Sequence, residues 1–286
     1  MMLITRAKMY GLTAIAAALY LGLGIAFGNG WGDEGIFSFG KFWEGGNADI
    51  GYAGSSWLSY VLLAAIIAAG VMLANRIPED GVQISAGDTS GEGQVHDPRG
   101  WRLLLGNTYL SVLWLPIRFF VGQEWLAAGE HKLRDSGWMD GGTSLQGYWE
   151  RAVAIPEAPA RPAITYDWYR DFITYMLNHE WYTWFAKVVA IGEFLVGLGL
   201  LVGALVGIAA FFGTVLNFSF MMAGTVSSNP VLFGLAVFLV LGWKVAGWIG
   251  LDRFLLPALG TPWEPGKVTH LHPYRGNAAT PTAQTH

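Results

Sequence analysis

The chain has no cysteine among its 286 residues. That excludes disulfides, cysteine-ligated iron–sulfur clusters and thiol catalysis by the chain itself. It leaves the redox compartment open. Charge is also scarce. Only 13% of residues are Asp, Glu, Lys or Arg, against about 25% in soluble domains. The net charge of −4 supplies no basic field, so nucleic acid is not an expected partner. No Gly-rich phosphate loop, dinucleotide fingerprint, zinc motif or hydrolase elbow is present. No covalent or motif-bound cofactor is therefore indicated.

Apolar residues take up the difference. They make up 53% of the chain, aromatics alone 14%. A helix needs about 20 mostly apolar residues to cross the hydrocarbon core. Six segments approach that requirement: Tyr10–Phe27, Trp57–Asn75, Leu113–Gly129, Trp181–Gly203, Ala204–Val226 and Pro230–Gly250. The expected fold class is an all-α integral membrane protein with about six transmembrane helices, its main partner the lipid bilayer. The first run follows Arg6 and Lys8 as a signal peptide would, but it is longer than a usual h-region. It reads as a retained span.

Lysine and arginine distribution orients the spans. Arg6 and Lys8 precede the first. Arg76, Arg99 and Arg102 lie between the second and third, and Arg253, Lys267 and Arg275 follow the sixth. With six spans all of these share one side, so both termini read as cytoplasmic. The expected location is the cytoplasmic membrane of a prokaryote. The chain divides into a two-helix membrane segment (1–76), a polar linker (77–100), a four-helix membrane domain (101–256) and a polar tail (257–286). Within the third part, residues 134–180 form an external loop rich in Trp, Tyr and Pro. Its stretch Asp167–Leu177 has helical spacing of Trp168, Phe172, Tyr175 and Met176. That points to a short interfacial helix and an ordered lid over the outer end of the bundle.

The third span carries RFFVGQEWLAAGEHKL, Arg118–Leu133. Charges inside a span are costly and mark either pairing or function. At 100° per residue, Arg118, Gly122, Trp125, Gly129 and Lys132 form one stripe. Glu124, Ala128 and His131 form another. By depth, an inner polar layer groups Arg118 with Glu193 and Lys244. An outer layer groups Glu124, Asn217, Lys187 and His131. The expected Arg118–Glu193 pair reads either as a helix-orienting ion pair or as a ligand or proton site. Lys187 and Lys244 read as snorkelling side chains. His131 and His179 lie near one interface, where a bis-histidine haem lacks supporting ligands. His270 and His272 in the tail read as solvated. Arg118, Glu124 and Glu193 are the candidate catalytic groups. His131, Lys132, Arg134 and Asn217 are the candidate substrate-binding groups.

These same stretches resemble the DoxX-like membrane family, whose relatives include the DoxD subunit of thiosulfate:quinone oxidoreductase. RFFVGQEWLAAGEHKL looks like the first core helix, and AIGEFLVGLGLLVG (Ala190–Gly203) like the second. NFSFMMAGTVSSNP (Asn217–Pro230) looks like the third helix and its turn, and GLDR (Gly250–Arg253) like the end of the fourth. The match covers about Leu104–Leu256. It implies a four-helix bundle, and by the thiosulfate branch an oxidoreductase subunit passing electrons from a small sulfur anion to membrane quinone, the mobile acceptor. Arg118 and Glu193 would then shape an intramembrane pocket, while His131, Lys132 and Arg134 attract the anion. The two preceding spans depart from the family's minimal pattern. A non-catalytic membrane subunit or assembly factor of a larger redox complex is the alternative. A partner subunit or homo-oligomer is expected in either case. A transporter is disfavoured, because inverted repeats and paired broken helices are missing from the sequence.

Overall fold

A computed structural model describes residues 2–27, 36–37, 56–84, 97–157 and 159–260. Most of the loop after the first helix, residues 85–96 of the linker and the tail with His270 and His272 lie outside them.

Two long helices come first, α1 (Arg6–Phe27) and α2 (Ser56–Asn75). Both are apolar around their whole circumference, as expected of helices with one face in lipid and one in protein. They cross closely: a Cβ on Gly70 would overlap the Thr13 side chain, which is how small residues let membrane helices approach. A short antiparallel strand pair, β1 (Met2–Ile4) with β2 (Val82–Ile84), ties the chain's start to the segment after α2. The polar linker thus begins as paired strand.

The next stretch, α3 (Arg99–Gly106), lies crosswise. It meets the following helical segment at a bend of 86°. Asn107 makes the corner, its side chain accepting from the Tyr109 amide, and a 3₁₀ turn over Thr108–Trp114 leads into α4 (Leu115–Arg134). Pro116 sits in the first turn of α4, where its missing N–H costs nothing. His131, Lys132 and Arg134 end it, matching the negative end of the helix dipole.

Helix α8 (Tyr182–Val202) runs antiparallel to α4. A Cβ on Gly129 would overlap the Phe194 backbone, and one on Gly197 the Leu126 backbone. These two contacts fix the register. The opposite face of α8, with Val188, Ile191, Leu195 and Val202, is exposed and apolar, suited to lipid. After a tight turn come α9 (Val206–Met222) and α10 (Asn229–Leu241). At 17 and 13 residues these are shorter than the ~20 needed to cross the hydrocarbon core alone. Three helices, α1, α2 and α8, are long and apolar enough to span, four if the bent α3–α4 segment counts as one. The expected sixth helix breaks at Gly242, where a Cβ would strike the Trp114 ring. The chain continues as α11 (Trp243–Ala246), a turn, and α12 (Asp252–Ala258). Seating Trp114 and closing the inner turns consumes the residues that would have completed a straight span.

Between α4 and α8 lies the lid, α5 (Ser136–Met139), α6 (Thr143–Val153) and α7 (Asp167–Asn178). It has its own core, with Leu145, Trp149, Ile164, Ile173 and Met176 buried against Ala186 of α8 and Ala223 at the end of α9. Polar contacts pin it further. Asp135 accepts from the Gly137 amide at 2.8 Å and the Ser144 hydroxyl at 3.1 Å. Tyr148 and Thr225 share a hydrogen bond of 2.8 Å, and Tyr169 donates to the Ser219 carbonyl at 3.0 Å.

Candidate functional site

The end of the four-helix unit at the α8–α9 turn is a backbone clamp. Arg118 is 2% exposed. Its guanidinium donates to the Ala246 carbonyl at 2.8 Å and the Ile249 carbonyl at 2.7 Å. These are carbonyls that the short α11 and the following turn leave unsatisfied. Asp252 does the converse job, accepting from the Leu205 and Val206 amides at the start of α9. Leu205 is in the left-handed region, φ 49°, and Asp252 compensates that strain by satisfying its N–H. Glycines let the parts meet: a Cβ on Gly203 would overlap Arg118 and Gly250.

The expected Arg118–Glu193 pair therefore does not form. Glu193 pairs with Lys132, Nζ to Oε2 at 2.6 Å. The cause is the antiparallel register: Gly203 faces Arg118, and Glu193 falls beside the outer end of α4. The expected inner layer dissolves. Arg118 serves backbone carbonyls, Lys244 is exposed, and Glu193 belongs with Lys132 at the lid end of α4.

The lid end of α4 holds a cavity of about 600 Å³ between the bundle and the lid. This is within the usual range for small-molecule sites, roughly 300–1,000 Å³. Its floor combines Glu124, Glu193 and Lys132 with the rings of Trp125 and Phe220. Lys132 also stands over the Trp138 ring of α5 at 5.1 Å. Its upper wall and rim are polar: Thr143, Ser144, Tyr148 and Arg151 from α6, facing Thr225, Ser227 and Asn229 from the α9–α10 turn. Arg151 and Ser227 are exposed at the rim. Ser227 has φ 37°, a conformation uncommon outside glycine and often held at functional sites. Burial pushes the Tyr148 phenol above its usual range.

Glu193 is fully buried, and its Oε1 has no hydrogen-bond partner among the described residues. A buried carboxylate oxygen without a donor needs an explanation. Glu193 is also one of the residues that border the cavity described above. Asn217 is fully buried and its amide is also unpartnered among the described residues, but it does not line the cavity. It lies one turn from Gly213, which abuts Trp125.

Of the expected substrate-binding groups, the cavity brings in Lys132. His131 is exposed and outside the lining, and Arg134 pairs with Glu130 on the surface. Lys187 is exposed as well. His179 stacks on Tyr175 with ring centroids 4.0 Å apart, its Nδ1 against the Tyr175 carbonyl. Glu124 lines the cavity as its stripe with Ala128 suggests.

Sequence reasoning missed Arg151, Tyr148 and the hydroxyl wall. The amphipathic run Thr143–Val153 was the available signal. It also missed a buried relay. Tyr20 of α1 donates to Gln123 of α4 at 2.9 Å, and Gln123 donates to Ser59 of α2 at 2.7 Å. The relay locks the N-terminal pair onto α4 one residue from Glu124. Comparison of the chain with protein-family models, curated proteins and solved structures finds no match.

Proposed function

We propose that this chain is a six-span membrane oxidoreductase subunit, both termini cytoplasmic in a prokaryotic plasma membrane, that reduces membrane quinone in the cavity beneath the lid. The short α9 and α10 complete the six crossings through their turns and the broken α11. The observation that carries the reading is one cavity with two chemical zones. Its rim offers Arg151 and hydroxyl groups to a small oxyanion arriving from outside. Its floor offers aromatic walls, suited to a quinone ring, with Glu124 and Glu193 as proton-bearing groups. The resemblance to the DoxX-like family supplies the substrates. Two thiosulfate ions joined as tetrathionate release two electrons, and a quinone takes them up with two protons.

In this scheme Lys132, which itself lines the cavity, orients Glu193 by the 2.6 Å ion pair to Oε2. Tyr148 donates to a bound oxygen when it releases Thr225. Arg118, held by backbone carbonyls, leaves the catalytic set and becomes a positioning residue of the bundle.

The test is thiosulfate-dependent reduction of a short-chain quinone by the purified protein. Glu193→Gln and Glu124→Gln are each expected to cut turnover by about 10²–10⁴, the usual contribution of a positioned acid or base. Undiminished turnover in both would remove the floor carboxylates from the reaction. No turnover by an intact wild-type protein that copurifies in a larger complex would favour the non-catalytic subunit.

A further inference from the structure

The stretch Gly250–Arg253 closes the inner end of the bundle. Gly250 permits close approach to Val202 and Gly203, and Asp252 caps α9. Arg253 has neither role. Its Nε is buried without an acceptor, and its guanidinium lies over the Trp248 ring at 5.5 Å.

Arg253 borders a second cavity, about 190 Å³, between the end of α2 and the turn into α12. Arg76 reaches the same cavity from just beyond α2. No Asp or Glu lines it among the described residues. Neither guanidinium has an ion pair or a hydrogen-bond acceptor among them. The carboxylate next in sequence, Asp252, is occupied by the two amides of α9, and Glu79 and Asp80 are exposed beyond Pro78. The remaining wall is apolar and includes Met72, Leu73 and Phe254. Met72 and Phe254 are also on the exposed apolar surface, 54% and 37% accessible.

We propose that this cavity binds the phosphate of an anionic phospholipid. Two unpaired arginines converge on a small space at the basic end of the helices. Apolar side chains continue from it along the lipid-facing surface. A phosphodiester between Arg76 and Arg253 accepts from the two guanidinium groups that line the cavity, and the acyl chains run along Met72 and Phe254. Basic pockets between helices on the cytoplasmic side recognise phospholipid headgroups by this chemistry. A free phosphate would satisfy the arginines but leave the apolar wall unused, so the occupant is a lipid. The bound lipid bridges the N-terminal pair and the four-helix unit, independently of the activity proposed above.

The experiment is native mass spectrometry of the detergent-purified full chain. It is titrated with phosphatidylglycerol, with phosphatidylcholine, and in a separate arm with inorganic phosphate. Wild type is expected to retain phosphatidylglycerol about 25-fold more tightly than R76Q/R253Q, roughly fivefold for each arginine. Phosphatidylcholine retention should be equal in both. The single variant R76Q, altered at an exposed position, carries the test with a fivefold loss should the double variant misfold. Equal phosphatidylglycerol affinity in wild type and variants overturns the proposal. So does inorganic phosphate competing at the same concentration as the lipid, which would make the site one for a free anion.

Discussion

Arg118 and Lys132 share one stripe of α4 but do opposite work. They lie roughly 21 Å apart along the helix. Arg118 spends its charge on two backbone carbonyls at the inner end, and Lys132 spends its on Glu193 at the cavity floor. Hydrogen bonds from a charged donor contribute about 1.5–3 kcal/mol each. Arg118→Lys keeps the charge but loses the two-pronged reach to Ala246 and Ile249. It is expected to lower stability by about 2–4 kcal/mol, with quinone affinity at the outer cavity unchanged. Thermal unfolding in detergent and a binding titration read the two effects separately. A loss of affinity with unchanged stability would return Arg118 to the site. The stripe itself was legible from 100° periodicity. The partner was not, because depth counted along separate helices carries no information on their register. Gly129 and Gly197 set that register, and nothing in the sequence says which glycines will meet.

Close backbone contact at those two glycines is what holds α4 against α8. Gly197→Leu places a side chain where the Leu126 backbone already sits. It is expected to destabilise the bundle by more than about 4 kcal/mol, the range seen when a core cannot relax. Gly192→Leu, which meets no neighbouring atom within 4 Å, is its control and should be near neutral. Circular dichroism melts of the pair distinguish packing from a general intolerance of α8 to bulk. Among the elements, α1, α2 and α8 were plain from long apolar runs, and α7 from its aromatic spacing. The break at Gly242 was not legible, since it serves Trp114, a residue 128 positions earlier in the chain. The strand pair of three residues each is too short to leave a periodic signal.

The molecule as a whole is two helix groups joined by buried polar contacts, and so more than a bundle with an appended pair. Tyr20, Gln123 and Ser59 tie α1 and α2 to the helix that carries Glu124. A six-span topology puts the lid outside and the Arg76 end inside. The absence of cysteine makes this directly testable. E157C, in the lid segment, should react with a membrane-impermeant maleimide in intact cells. E79C should react only after lysis. The reverse pattern would invert the topology, and labelling of both in intact cells would refute an odd number of crossings between them and the opposite-side assignment. The central claim, that the outer cavity is a ligand site, has a more direct test. Gly147 lines that cavity, and a Cβ there meets only the Arg151 Nη1 at 3.3 Å. Gly147→Leu should therefore fill the space while holding or raising helix stability, since glycine inside a helix costs about 1 kcal/mol. The decisive measurement is a titration of wild type and G147L with a short-chain quinone, followed by tryptophan fluorescence. Saturable quenching in wild type, abolished in G147L at unchanged melting temperature, is the predicted result. Equal quinone affinity in the two proteins would contradict it.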